Sequence, residues 1–409
     1  MATILITAYA VNPYKGSEDG SGWNFISQAA RNNKVVAITR KNNRPAIDKF
    51  LKEEPRDHFK NLSFLYFDLP YWMRFWKRKN RGALLYFYLW QFAIVGFIKK
   101  QTLNYNIVHN LNFHNDWTPT FLYKLNTPLV WGPMEHHPSI PEQFIKPVYG
   151  TEAWLRDRLA SWVKNTMRRY NPVMKKGLGK TKIAIAGHSG VIKKFPLMPE
   201  TIIEMSLVGA ELPSESNHPK NSKFTFISVG RFVPLKGFDV TIKSFALFAN
   251  RLPEANRNKV RLLLVGSGSL KGYLENLIRE LGVSDLVEII EWIPRSELMK
   301  LYQNAHVFLF PSHEGAGMVV VEALSFGLPV VCFNNNGPGE LVNEKCAFRV
   351  PYEQYDETVR IFAHYLRILY SNKRLYNKMS EEALETFKKK YLWNAKGDAL
   401  TSIYRQVLK

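Results

Sequence analysis

Two pairs of charged residues stand where an apolar strand pattern runs into a glycine-containing loop that opens a helix. Arg231 and Lys236 lie in 226-FISVGRFVPLKGFD-239, and Glu314 and Glu322 lie in 307-VFLFPSHEGAGMVVVEALSFGLPVV-331. Two cations in one short loop suit a diphosphate, whose charge grows when a bond to it breaks. Fixed cations aimed at it therefore stabilise the transition state more than the ground state. Gly315 and Gly317 flank Glu314, and their missing side chains let backbone N–H groups approach an anion. Glu322 falls on the first turns of the following helix, where a carboxylate accepts hydrogen bonds from a ribose diol. Each residue alone has a plainer role, as a solvated loop ion or an acid complementing a helix dipole. Together, with 327-GLPVV-331 behind them, they point to a nucleotide site at the carboxyl ends of parallel strands.

Such loops need a sheet to hold them. Apolar runs at 3–9, 34–39, 62–67, 106–109, 128–131 and 182–186 predict strands, with a first helix from about Gly22 to Arg31. A second βα series begins at Phe224 and continues through 260-VRLLLVG, 287-VEII, 306-HVFLF and 328-LPVVCF. Helices are expected at about 239–250, 269–281, 296–303 and 319–326, and a last one at 394–408. The polar stretch 211-ELPSESNHPKNSK-223 reads as a linker. The expected domains are 1–210, 224–390 and a terminal helix within 391–409. A chain of 409 residues exceeds one ordinary core and suits two of about 150–200 residues each.

Composition sets further bounds. With 46% hydrophobic and 13% aromatic residues the chain is globular rather than disordered. Its two cysteines, Cys332 and Cys346, lie in or beside apolar runs without metal-ligand spacing, which implies buried thiols in a reducing compartment. The start, MATILITAYAV, reads as a first strand rather than a secretion signal, so a cytoplasmic protein is expected. Of the net +21, residues 1–210 carry 30 Lys+Arg against 14 Asp+Glu, and residues 211–409 carry 26 against 21. That asymmetry predicts an acidic partner for the first half, such as an anionic membrane on the inner face of the plasma membrane. Nucleic acid is not expected, because no zinc-finger, RNP or helix-turn-helix pattern accompanies the charge. Segment 70–100 places Arg74, Lys77, Arg78, Lys79 and Arg81 among aromatics ahead of an uncharged run, Gly82–Ile98. That run is short of the about 20 apolar residues a membrane span needs. It reads either as a membrane-surface element or as a buried crossover helix beside a basic loop.

The combination 229-VGRFVPLKGFD-239, 314-EGAGMVVVEALSFGLPVV-331 and 337-GPGELV-342 resembles the group 1, or family 4, retaining glycosyltransferases. The amino-terminal half resembles a bacterial branch of them through 12-NPYKGSEDGSGW-23, 107-IVHN-110 and 130-VWGP-133. The resemblance implies an α/β protein of GT-B architecture: two Rossmann-like domains facing across a cleft, with the last helix packing back on the first. It implies that Arg231 and Lys236 bind the donor diphosphate, Glu322 the ribose and Glu314 the donor sugar. The backbone of Gly315, Ala316, Gly317 and Met318 would touch phosphate or sugar hydroxyls. Gly20 and Gly22 would approach the phosphates from the first domain. No metal and no cofactor is implied beyond a UDP- or GDP-linked sugar as co-substrate. The family's catalytic histidine has a candidate in His109 and a weaker one in His114, while His188 and His313 read as scaffold or rim. Where many relatives have a glycine-rich run, this chain has 134-MEHHP-138, so Glu135, His136 and His137 become acceptor-side candidates.

The expected activity is transfer of a sugar, with retention, to a hydroxyl of a saccharide or lipid-linked saccharide in lipopolysaccharide, capsule or other surface polysaccharide synthesis. The alternative is a catalytically degenerate GT-B protein acting as a glycan-binding or membrane scaffold, a reading that the altered 134–138 loop keeps open. A phosphorylase is disfavoured, since a sugar phosphate has no ribose for Glu322.

Overall fold

The computed structural model describes residues 1–77, 82–111, 115–194, 202–213 and 223–409. They form two compact units. The first comprises Met1–His136, Trp162–Val208 and Trp393–Lys409, and the second His137–Ser161 and Gly209–Leu392.

In the first unit, β1 (Thr3–Thr7), β2 (Lys34–Thr39), β3 (Leu62–Tyr66), β4 (Ile107–Asn110), β5 (Leu129–Met134), β6 (Thr181–Ala186) and β7 (Ile202–Glu204) make one sheet. Its order is β3-β2-β1-β4-β5-β6-β7, with parallel pairing throughout. Residues such as Ile4, Leu5, Ile6, Val108 and Val130 are fully buried, as strands covered on both faces require. Consecutive strands add outward from β1 in one direction and from β4 in the other. The loops leaving those two strands therefore part and open a crevice at their carboxyl ends.

The first helix spans Ser17–Ala30, so Gly20 and Gly22 lie inside it rather than at its opening. Gly20 is buried, and its N–H is committed to the Gly16 carbonyl. Helix Ala83–Lys99 crosses from β3 to β4 and buries Tyr86, Phe87, Trp90, Ile94 and Ile98. It leaves Leu84, Leu85 and Phe92 exposed, beside exposed Tyr71, Trp72 and Phe75. The buried crossover helix, one of the two readings of segment 70–100, is present, with exposed aromatics beside it. Arg78, Lys79 and Arg81 lie outside the described residues. Among the described residues no helix is long and apolar enough to cross a membrane.

In the second unit, β8 (Phe224–Val229), β9 (Val260–Val265), β10 (Val287–Ile290), β11 (Val307–Phe310), β12 (Val330–Phe333) and β13 (Ala347–Val350) order as β10-β9-β8-β11-β12-β13. All pairs are parallel, and the order reverses between β8 and β11. Helices Phe238–Ala249, Lys271–Glu280, Arg295–Gln303 and Met318–Ser325 occupy the expected gaps, and Tyr355–Ser371 and Lys373–Lys390 complete the unit. Residues 137–161, read from sequence as part of a 1–210 domain, pack here instead. Phe144 is 1% exposed among His313, Phe333, Tyr352 and Tyr355. The hydroxyls of Tyr149 and Tyr355 donate to buried Asp239 at 2.5 and 2.7 Å. Those aromatic anchors carry the segment to the second unit, and chain order does not announce them. Of the linker, 214–222 lies outside the described residues.

The last helix, Trp393–Val407, belongs to the first unit, where Trp393 meets Phe25 edge-on at 5.4 Å. It also buries Lys396, whose ammonium donates to the Ser206 carbonyl. Burial pushes the Lys396 pKa down to about 7, with Glu135 acting in the opposite direction. Between that value and the ordinary lysine range the unfolded chain holds a proton that the folded chain does not, so this group makes stability rise with pH. Chemical unfolding from pH 7 to 9 is expected to show that rise, by at most about 1.4 kcal/mol per pH unit. Lys396→Met should flatten it; an identical slope in the variant would assign the pH dependence to other groups.

Candidate active site

The loops after β8 and β11 leave the second sheet at its reversal point, and three local constraints lock them together. The turn Pro234–Lys236 ends at Gly237 with φ +64°, where a Cβ would stand 2.0 Å from the Pro311 carbonyl oxygen. Only glycine permits both that backbone and that approach. The His313 N–H and the Ser312 hydroxyl then both donate to the Leu235 carbonyl, at 2.9 and 3.2 Å. From the other side, Gly337 of the 337-GPGELV motif packs so closely that a Cβ would lie 1.9 Å from the Glu314 carbonyl oxygen. Asn335 ties this floor together. Its Nδ2 donates to the Ser312 carbonyl at 2.9 Å, and its Oδ1 accepts from the N–H groups of Gly337 and Gly339 at 3.2 and 3.1 Å.

The result brings Lys236 and Glu314 into contact. Lys236 Nζ donates to Glu314 Oε2 at 2.5 Å, each side chain is 13% exposed, and the ammonium also lies over the Phe310 ring at 5.1 Å. Arg231 is exposed at the end of the same strand and makes no ion pair among the described residues. A cation shielded from water beside an unpaired one fits an anion that competes with Glu314 for the ammonium.

Glu322 is on helix Met318–Ser325, with its carboxylate 5% exposed and Oε1 held by Arg295 Nη1 at 2.7 Å. Burial raises its pKa, and Arg295 opposes the rise. The carboxylate borders a cavity of about 540 Å³ lined by Leu212, Pro213, Arg295, Met299 and Phe326. Gly315 and Gly317 are buried, Ala316 and Met318 are half-buried, and the Gly315 N–H donates to His137 Nδ1 at 3.2 Å. His313 stacks on Phe333 at 4.9 Å, and burial pushes its pKa down to about 3, which makes it neutral scaffold.

The first-unit candidates separate sharply. His109 is fully buried, its Nε2 donates to the Gly132 carbonyl at 2.7 Å, and its Nδ1 accepts from the Tyr404 hydroxyl at 2.8 Å. Both ring nitrogens are occupied. His114 lies outside the described residues. Glu135 lies 3.2 Å from His188 Nε2, both buried. His136 Nδ1 is 2.8 Å from Asp116 Oδ2, which Arg168 Nη2 also reaches at 2.8 Å. Burial alone would raise the Asp116 carboxyl, but the His136 hydrogen bond and the Arg168 charge together hold it below the usual carboxylate range. Sequence reading missed Asp116, Arg168, Arg295, Asn335 and Tyr352. Of these, Asp116, Arg295, Asn335 and Tyr352 carried a usable signal, since each follows the carboxyl end of a strand.

Residues 211–386 match the family model described as glycosyl transferases group 1. An uncharacterized glycosyltransferase of Haemophilus influenzae is 34% identical over 163 residues, 39% of this chain and 43% of the relative. The match thus spans less than half the length of that relative. Among solved structures, WaaG, described as a glycosyltransferase involved in lipopolysaccharide biosynthesis, superposes with a TM-score of 0.60 at 18% identity, covering 97% of this chain and 98% of that one. HepE of Anabaena, solved with UDP and glucose, gives a TM-score of 0.61 at 15% identity, covering 99% and 100%. At these identities the likeness shows the fold, and that fold is GT-B: two parallel-sheet α/β domains.

Arg295 is expected to be what keeps Glu322 ionised. Arg295→Ala should lower stability at pH 8 by about 1–3 kcal/mol, less than for a fully buried pair because the guanidinium is half exposed. The deficit should shrink towards pH 5, where the unpaired carboxyl takes up a proton, and disappear in a Glu322→Gln background. Urea unfolding of the four proteins checks this, and equal deficits at both pH values would show that the pair is not coupled.

Proposed function

We propose that this chain transfers a sugar from a nucleotide-diphosphate donor to a hydroxyl of a lipid-linked saccharide, with retention of configuration and without a metal ion. The observation that carries the proposal is the Lys236–Glu314 contact beside Arg231 at the reversal point of the second sheet. Arg231 and Lys236 would hold the diphosphate, and Glu314, released from Lys236, would meet the sugar hydroxyls. Glu322 would bind the ribose at the mouth of its cavity. As the bond from the sugar anomeric carbon to the phosphate oxygen breaks, the acceptor oxygen bonds to that carbon from the same face. The acceptor proton passes to the leaving phosphate, whose added charge the two cations stabilise. His109 and Gly20, with their polar groups already bonded, take no substrate in this scheme.

The family match over 211–386 and the relatives' names support glycosyl transfer. The UDP and glucose of the HepE structure favour a UDP-sugar over a GDP-sugar. The involvement of WaaG in lipopolysaccharide biosynthesis favours a role in that process or in related polysaccharide synthesis. The basic first half and the exposed Tyr71, Trp72 and Phe75 support peripheral placement on an anionic membrane.

Melting temperatures with UDP, GDP, ADP and TDP test the donor site: one nucleotide should stabilise the protein, and Glu322→Ala should abolish the shift. Lys236→Ala should cut turnover by a factor corresponding to about 2–4 kcal/mol, whereas unchanged turnover would remove Lys236 from the site. A scaffold would bind the nucleotide sugar with no release of free nucleoside diphosphate, and EDTA should leave release unaffected. Neutralising Arg74, Lys77, Arg78 and Lys79 should free the protein from anionic vesicles; retention at the same salt would leave segment 70–100 as a packed crossover only.

A further inference from the structure

A buried charged cluster in the first unit is not used by the donor chemistry. Asp116 is 1% exposed, and Arg168 and His136 are each 8% exposed. Asp116 follows β4 and His136 follows β5, so both stand at the carboxyl edge of the first sheet, beside its β1–β4 reversal. That edge is where an open parallel sheet takes ligands. Arg168 comes in from helix Glu142–Tyr170.

The hydrogen bonds define the state of the imidazole. Asp116 Oδ2 lies 2.8 Å from both His136 Nδ1 and Arg168 Nη2, and Nη2 also stands 3.1 Å from Nδ1. An ionised carboxylate can only accept, so the shorter Nδ1–Asp116 contact takes the ring proton in preference to the longer guanidinium one. A permanently charged guanidinium on the same oxygen keeps the carboxylate an acceptor, so the proton of a neutral imidazole sits on Nδ1. Nε2 then carries the lone pair, and it makes no hydrogen bond among the described residues. The ring is also held from behind: the His136 N–H and carbonyl both face His188 Nε2, at 3.2 and 3.1 Å. The remaining charges near this edge, Glu135, His188 and Lys396, interact among themselves and with main chain.

A second observation concerns unsatisfied polar atoms. Arg168 Nε and Thr118 Oγ1 are buried without a hydrogen-bond partner among the described residues. Buried polar groups are normally satisfied, by protein or by something bound. A cluster serving packing alone would be replaceable by apolar side chains at little loss. This one instead orients an imidazole and leaves the Arg168 Nε–H open, as a site for a polyhydroxylated ligand would.

We infer that Asp116 and Arg168 are positioning residues that present His136 Nε2 as a hydrogen-bond acceptor to a hydroxyl of the acceptor saccharide. The inference rests on the transfer reading above and extends it to the acceptor side. No bond is made or broken at His136; the acceptor proton still leaves to the phosphate.

The test uses the full chain, a nucleotide sugar labelled in its sugar and a membrane extract as acceptor source. His136→Ala keeps the Asp116–Arg168 pair and tests the contact; Asp116→Asn tests the positioning. Both should lower label transfer at limiting extract by about tenfold or more, as loss of one hydrogen bond to an oriented partner does. The nucleotide-induced melting shift should stay as in the wild type, and the double variant should be no worse than either single one. Nitrogen-15 NMR of the imidazole should show Nδ1 protonated in the wild type and a mixture of tautomers in Asp116→Asn. Transfer within twofold of wild type in both variants overturns the inference, as does loss of the nucleotide shift together with transfer, the mark of a merely structural role. If the wild type transfers no label from any sugar nucleotide, the transfer reading itself has failed. The NMR result still decides the positioning: a wild-type ring protonated on Nε2 sinks it.

Discussion

A parallel sheet whose strand order reverses cannot close the gap between the two loops that leave its central strands in opposite directions. In the second unit that gap lies between β8 and β11, and nearly every feature of the candidate site follows from it. The two loops carry the cations and the first glutamate. They would separate without the contact of Gly237 on Pro311 and the pair of hydrogen bonds onto the Leu235 carbonyl. Those bonds hold Lys236 against Glu314, so each charge waits in a partly dry place with a partner that a better ligand can displace. Preorganisation of this kind is where the transition-state stabilisation of phosphate-releasing chemistry originates.

The first unit repeats the same topology with different occupants. Its reversal point has a helix with the Gly20 N–H committed on one side and the Asp116, Arg168 and His136 cluster on the other. The division of labour is chemical. A site with one exposed and one displaceable cation suits a diphosphate, whereas a carboxylate-oriented imidazole beside an unsatisfied guanidinium N–H suits hydroxyls. The 134–138 segment, bulkier than a glycine run, therefore supplies contacts: Glu135 to His188, His136 to Asp116 and His137 to the Gly315 N–H.

The candidate donor site was legible in the sequence because Arg231, Lys236 and Glu314 lie in the loops that leave strand ends and Glu322 on the helix that one of those loops opens. Arg231, Lys236, Glu314 and Glu322 each carried a local signal of apolar run, glycine and charge, and the structure brings Lys236 to Glu314 and gives Glu322 a cavity. Arg295 and Asn335 were missed because what matters in them is a partner 27 or 23 residues away, which only the crossovers bring near. His109 looked reactive for the reason that made it structural. A histidine on a buried central strand must satisfy both nitrogens, and Gly132 and Tyr404 do so. Strand β7 escaped notice because three residues are too few to show a pattern, and β13 because Arg349 breaks its apolar run. Residues 137–161 changed unit because aromatic anchoring on Phe333 and Asp239 outweighs adjacency in the chain.

If the Lys236–Glu314 pair is the resting form of a diphosphate site, a bound nucleotide must break it. A crystal structure of the chain with the stabilising nucleotide tests this most directly. The expected result has the diphosphate between Arg231 and Lys236, the ribose on Glu322, and Lys236 Nζ moved off Glu314 onto phosphate oxygen. A nucleotide seated elsewhere, or one bound here with the 2.5 Å pair intact, would contradict it.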